Sequence, residues 1–220
     1  VNYVHISDMH GKTRFLNGKL SWIINKIEPT FVLVTGDLID KEKDIKKVFA
    51  ELGKIRSKVY IVLGNHEREY HRVFNKLEVN FDGLMEAGKQ YTNLNMLINE
   101  EHVETFNNYR ISIYGFDNSK YGNERYNPCK ETSDFKIVMA HSPSIISILD
   151  DQNIGYNHLL VGHTHGGQIR LFGRQFGPYK KWHQGDKYLA NKIFTITTGL
   201  GTTRIPIRIN SLPEIRQYFL

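Results

Sequence analysis

The chain is predicted to fold as an α/β domain whose parallel strands deliver their carboxyl ends to one site. Three observations carry that prediction: short apolar runs alternate with amphipathic helical patterns over the first third, the runs stop at Asp, Asn or His clusters, and a strand-rich stretch follows. The first strand, residues 4–6, stops before Asp8-Met9-His10, and residues 16–27 then place Leu16, Leu20, Ile23, Ile24 and Ile27 on one helical face. A second strand, residues 31–34, runs into Gly36-Asp37. It is followed by a helix at 44–52 with Ile45, Val48, Phe49 and Leu52 on one side and lysines opposite. The third strand, residues 59–63, stops at Gly64-Asn65-His66-Glu67 and completes a βαβαβ pattern. Residues 93–115 are strand-rich, with Asn107-Asn108 at a hairpin turn and a strand at 111–114. Runs at 137–139 and 159–161 end at His141 and at Gly162-His163-Thr164-His165-Gly166-Gly167. The tail, 192–220, is again mostly strand-like, so a second sheet packed on the first is expected. Ligands of open α/β sheets sit beyond the carboxyl ends of the strands, where the polar clusters fall.

Composition narrows the function classes. A length of 220 residues favours one domain spanning 1–220, and 40% hydrophobic with 24% charged residues excludes a disordered chain. Cys129 is the sole cysteine, which excludes an intrachain disulfide and a thiolate zinc cluster. No run approaches the roughly 18 apolar residues of a membrane span. The chain opens at Val1, inside a strand-like run and without Met, so an export signal or membrane anchor before it is left open. The formal charge of +6 suits an anionic partner: a phosphate ester, a nucleic acid or an acidic lipid surface.

Asp8 and His10, two apart at a strand end, can reach one cation, although such a pair is also common on surfaces. Asp37 follows a glycine that permits close backbone approach; alone it could equally cap a turn. Asn65 offers an amide oxygen, and His66 beside it projects differently and can serve acid–base chemistry. His163 and His165 lie between glycines that suit a backbone crowded against a site, and His141 ends its own strand. Each residue alone has a bland explanation, but together those explanations require several coincidences in a fixed order.

The ordered set Asp-x-His, Gly-Asp, Gly-Asn-His, His and Gly-His-x-His resembles the signature of the calcineurin-like metallophosphoesterases and covers positions 8–165. Gly-His-Thr-His-Gly-Gly-Gln, with Gly199-Leu200-Gly201 and Pro206-Ile207-Arg208 later, looks like the bacterial membrane-associated or exported branch, which includes UDP-2,3-diacylglucosamine hydrolases. The resemblance implies a four-layer sandwich of two packed mixed sheets flanked by helices, with a binuclear metal site at the strand ends. It assigns Asp8, His10, Asp37 and His165 to one ion and Asp37, Asn65, His141 and His163 to the other, with Asp37 bridging. Mixed oxygen and nitrogen ligands suit Mn, Fe or Zn. The implied reaction is attack on a phosphodiester or pyrophosphate by a hydroxide that the ions share, with His66, outside the ligand set, donating a proton to the leaving group or stabilising charge.

Substrate recognition is less legible. Arg204 and Arg208 could clamp phosphate through bidentate guanidinium contacts, although a solvated arginine is the commoner outcome. Residues 172–188 interleave aromatics with cations and could grip an acidic membrane surface, a lipid-bearing substrate or a nucleic acid, or simply form a solvated loop. His5, His71, His102, His158 and His183 lack partner spacing and are expected in packing or surface roles. A lipid-linked or nucleotide-type phosphate ester is the favoured substrate, with a membrane-associated or exported location. A nuclease and a non-catalytic metal-organised binding module are the competing functions.

Overall fold

In the computed structural model, the chain is described at residues 1–72, 75–117, 121–129, 132–171, 174–175 and 184–220. The framework runs β1 (Asn2–Ile6), α1 (Leu20–Ile27), β2 (Phe31–Thr35), α2 (Ile45–Leu52), β3 (Lys58–Val62), α3 (Phe81–Lys89), β4 (Leu94–Met96), β5 (Glu100–Phe106) and β6 (Tyr109–Gly115). It continues with β7 (Phe135–Met139), α4 (Ile145–Asp151), β8 (His158–Val161), β9 (Gly185–Leu189), β10 (Lys192–Ile196) and β11 (Arg216–Phe219). One sheet has the order β11-β1-β2-β3-β4 and is parallel except for β11. The other has the order β9-β10-β8-β7-β6-β5, with four central parallel strands and an antiparallel strand at each edge.

Side chains alternate across each strand, and both faces of both sheets are apolar, so four layers result. Val4, Ile6, Val32, Val34, Val59 and Ile61 pack beneath the helices against Leu20, Ile24, Val48 and Phe49. Tyr3, Phe31, Leu33, Tyr60 and Val62 face the second sheet and meet Ile111, Ile113, Ile137, Met139 and Leu160. The far face of that sheet puts Val138, Leu159, Val161 and Ile196 against Ile145 and Leu149 of α4. This is the expected sandwich.

Three local expectations change. The first helix begins at Leu20 rather than 16, because Leu16 and Asn17 turn a short ribbon, Arg14–Phe15 against Gly18–Lys19, and Leu16 is wholly exposed. Gly18 takes φ +122°, which a helix cannot contain. The tail is strand only at β10 and β11; residues 197–215 leave the sheet and fold over the strand ends. Helices α3 and α4 and the hairpin Glu69–Arg72 with Asn75–Glu78 were not expected. The Asn107-Asn108 turn is present, both residues having positive φ (48° and 68°) between the paired Phe106 and Tyr109, as a two-residue hairpin requires.

The interface between the sheets holds a polar chain. Tyr3 donates its hydroxyl proton to His158 Nδ1, and His158 Nε2 meets Thr195 Oγ1 at 2.8 Å. Burial holds the His158 imidazole down at about 4. The unfolded chain takes up this proton near pH 6.5 and the folded chain only near 4, so the associated stability is complete above 6.5 and is lost as pH falls through that window. Urea unfolding of chelator-treated protein should therefore show His158→Gln losing about 2–3 kcal/mol less than the parent between pH 7 and 4.5. Equal losses would show that His158 does not couple folding to pH.

Candidate metal centre

Five connections leave the carboxyl ends of β1, β2, β3, β7 and β8 and converge. Asp8, His10, Asp37, His163 and His165 all have left-handed backbones, with φ of 51°, 46°, 51°, 69° and 52°. Such residues carry strain of about 1–2 kcal/mol each, and they cluster where surrounding structure over-determines them. Here the restraint is a lattice between loops: Asp8 N donates to Gly36 O (2.9 Å), His10 N to Asp37 O (3.0 Å), Gly162 N to His141 O (2.9 Å) and Leu200 N to Ser7 O (3.0 Å). The glycines make the crowding possible. A Cβ on Gly36 would lie 2.6 Å from Gly64 N, and one on Gly162 would lie 2.4 Å from Asp8 Oδ2.

Among the described residues, three groups of side chains could hold a cation, and two of them share Asp37. Asp8, His10, Asp37 and His165 each bring one ligand atom within 4.8 Å of the others, and so do Asp37, His141 and His163. In the first group His10 Nε2 lies 3.1 Å from His165 Nε2 and 3.7 Å from Asp37 Oδ2, while His165 Nε2 lies 3.5 Å from Asp8 Oδ1. In the second, the same Asp37 oxygen is 3.2 Å from His141 Nε2, which is 2.9 Å from His163 Nδ1. Asn65 Oδ1 is buried with no hydrogen-bond partner, which a cation beside it would correct. His141 Nδ1 lies 2.8 Å from the Thr35 carbonyl and donates to it, which leaves Nε2 as the nitrogen that faces Asp37 and would meet a cation. Oxygen and imidazole donors without thiolate fit two borderline divalent cations.

Charge balance agrees with this geometry. Burial alone would raise the Asp37 carboxyl, but the imidazoles of His141, His66 and His10 hold it well below the usual carboxylate range. Burial lowers His163 to about 3, helped by His141, and together with His10 and Arg208 it keeps His165 well below its ordinary value. Those two rings are neutral with lone pairs available. Burial would also lower His141, but Asp37 raises it to about 9 without metal, so cation binding there must release a proton.

His66 stands outside the two groups that contain Asp37 and forms the third with His10 and Asp40. Its Nδ1 lies 3.7 Å from Asp40 Oδ1, its ring stands edge-on to His10 with centroids 4.6 Å apart, and its backbone N–H donates to Asp37 Oδ1. Asp40 also reaches His10 Nδ1 at 3.7 Å. The sequence marks Asp40 only as a carboxylate three residues after Asp37, and it marks Glu67 only as the neighbour of His66. Fully buried, Glu67 accepts from the backbone N–H groups of Asp37 (2.9 Å), Leu38 (2.7 Å), Ile39 (3.2 Å) and Gly64 (2.7 Å), tying the Asp37 loop to the Asn65 loop. A tight turn that delivers Asp37 leaves several N–H groups without strand partners, and Glu67 supplies the acceptor they need.

The two arginines part company. Arg204 is exposed. Arg208 points inward and donates to the carbonyls of Gly201 (2.8 Å), Thr198 (2.8 Å), Ser211 (3.1 Å) and His165 (3.3 Å), so a phosphate clamp would need those donors released. Most of the 172–188 segment lies outside the described residues, as do His183 and the side chain of His71. His5 and His158 are buried packing residues, and His102 sits beside Glu104 at 3.3 Å.

Comparison with known proteins agrees with this geometry. The chain is 26% identical to the metallophosphoesterase YkoQ of Bacillus subtilis (98% of this chain, 82% of the relative) and 25% identical to the phosphodiesterase YaeI of Escherichia coli (86% and 69%). A cattle relative named a transmembrane protein with metallophosphoesterase domain is 26% identical over 99% of this chain and 51% of its own length. Among the described residues here, no helix is long and apolar enough to cross a membrane. The NAD nucleotidase structure from Haemophilus influenzae superposes with a TM-score of 0.59 at 15% identity, over 90% of this chain and 45% of that one. Residues 1–167 match the family described as calcineurin-like phosphoesterase, and the chain belongs to that family of metal-dependent phosphoester hydrolases.

Proposed function

We propose that residues 1–220 form a single catalytic domain that hydrolyses a phosphodiester or pyrophosphate bond in a lipid-linked or nucleotide-type substrate. The observation that carries this reading is the Asp37 oxygen shared by two ligand groups, the arrangement of a paired-cation site. Asp8, His10, Asp37 and His165 would hold one ion, and Asp37, Asn65, His141 and His163 the other, with Mn, Fe or Zn as candidates. Bound there, such cations would supply activation of water as a nucleophile and charge stabilisation for an in-line displacement at phosphorus.

The chain's own residues do the rest. His66, with its side chain 13% exposed, reaches the mouth of the site from beside the ligands and is assigned as proton donor to the leaving oxygen. Asp40 orients that ring, and Glu67 fixes the turn that sets Asp37. A relative named as a phosphodiesterase supports diester chemistry, and relatives named as transmembrane proteins support a membrane-associated or exported location. The charge of +6 keeps a nuclease as the second reading.

The test is a panel of model mono- and diesters, nucleotides, nucleic acids and UDP-diacylglucosamine, each run with Mn²⁺, Fe²⁺ or Zn²⁺. Turnover is expected on diesters or pyrophosphates. Cleavage confined to DNA or RNA would install the nuclease reading, and inactivity of metal-replete protein on every ester would remove catalysis.

A further inference from the structure

We infer that part of the mouth, built by the connection after β1, by residues 162–170 after β8 and by the connection after β10, is a docking face for an anionic lipid bilayer. The inference rests on the lipid-linked reading above and gives that substrate a route to the metals. The three strands are spatial neighbours: Tyr3 of β1 meets His158 of β8 across the sheets, and β8 pairs with β10. Their carboxyl ends therefore open on the same side of the ligand cluster.

The connection after β10 is pinned over that cluster. Gly201 N donates to Asp8 O (2.6 Å), Ser211 Oγ to His165 O (2.7 Å), and Ile209 bridges to Ile169. Arg208 is drawn inward by its four carbonyls, and its neighbours face out. Ile207 is 54% exposed and Ile209 38%, with Ile205 at 51% and Leu212 at 79% on the same loop. Four aliphatic side chains held at the surface by a well-bonded loop serve no core. The ribbon after β1 repeats the pattern, with wholly exposed Leu16 close to Arg14 and Lys19.

Charge selects the occupant. Apart from the metal ligands, the exposed charged side chains among the described residues of these connections are Lys12, Arg14, Lys19 and Arg204, with no exposed carboxylate. Beside the connection after β1, and bonded to it through His10 N and Gly11 N, residues 36–44 carry Asp40, Glu42 and Asp44 against Lys41 and Lys43, so the acidic edge of the mouth begins where Asp44 packs on Gly11. Cations attract either a nucleic acid or an acidic bilayer, and between these two exposed aliphatic tips gain from inserting at a lipid interface and not from a phosphate backbone. The face therefore fits a bilayer rich in anionic headgroups, with the metal centre opening toward it.

Sedimentation with phosphatidylcholine vesicles, with and without phosphatidylglycerol, tests this on the 220-residue chain. The parent should bind the anionic vesicles and be released by high salt. The double variant Ile205→Asp, Ile207→Asp should bind at least about tenfold more weakly, as should Leu16→Asp by a smaller factor. A thermal melt checks that each variant is folded. Hydrolysis of a soluble p-nitrophenyl diester, measured alongside, should be unchanged in both; absence of that activity in the parent counts against the hydrolase reading, whereas docking is judged on the vesicles. Equal vesicle retention by the parent and the double variant, or capture of duplex DNA or RNA with no vesicle binding, overturns the docking face.

Discussion

Asp37→Ala should abolish turnover and empty both cation positions together. One oxygen of this carboxylate lies 3.7 Å from His10 Nε2 and 3.2 Å from His141 Nε2, so its loss removes a ligand from each group at once. It also removes the negative charge that keeps His141 high and opposes burial of the surrounding rings. The expected drop in kcat/KM on a model diester is on the order of 10³ or more, or about 4 kcal/mol of transition-state stabilisation. Metal analysis should find two equivalents in the parent and fewer than one in the variant. Asn65→Ala, which deletes a ligand from only the second group, should retain at least one equivalent. Two equivalents in Asp37→Ala, with turnover within tenfold of the parent, would show that Asp37 does not bridge.

The positions of these residues were legible because each ends an apolar run too short for a buried helix and bounded by Gly, Asp, Asn or His, which reads as a central strand. Their conformation was not legible. Nothing in Asp-Met-His or His-Thr-His announces that Asp8, His10, Asp37, His163 and His165 will sit at positive φ; the neighbouring loops impose it through backbone hydrogen bonds. Glu67 and Asp40 escaped for a related reason. They act on N–H groups and on the outer nitrogens of imidazoles, contacts that depend on how separate loops meet. Periodicity failed where turn chemistry outweighed it, as at Asn17-Gly18, where the 3.6-residue pattern continues back to Leu16 but the chain makes a ribbon. It also failed in the tail, where the apolar positions 205, 207 and 209 alternate like a strand. There Arg208 finds four carbonyl partners inside and the isoleucines are left outside, so alternation marks a pinned loop.

His66→Ala should leave both cations bound and still lose about 10²–10⁴ in kcat, the range ascribed to a positioned proton donor. Retention is expected because the His66 ring belongs to neither ligand group that contains Asp37, and only its backbone N–H touches that carboxylate. Position alone does not separate a proton donor from a residue that merely packs on His10, since their rings stand edge to face with centroids 4.6 Å apart. Leaving-group dependence does. A p-nitrophenolate leaves without help, so a lost donor should cost little on that ester, whereas an alkoxide must be protonated as it departs and should show the full deficit. A structural role would depress both substrates alike and would lower metal content as His10 loosened. Asp40→Asn should follow the donor pattern more weakly, because the ring keeps its nitrogen but loses the carboxylate 3.7 Å from Nδ1. A uniform loss across both leaving groups in His66→Ala would move the proton donor elsewhere in the mouth.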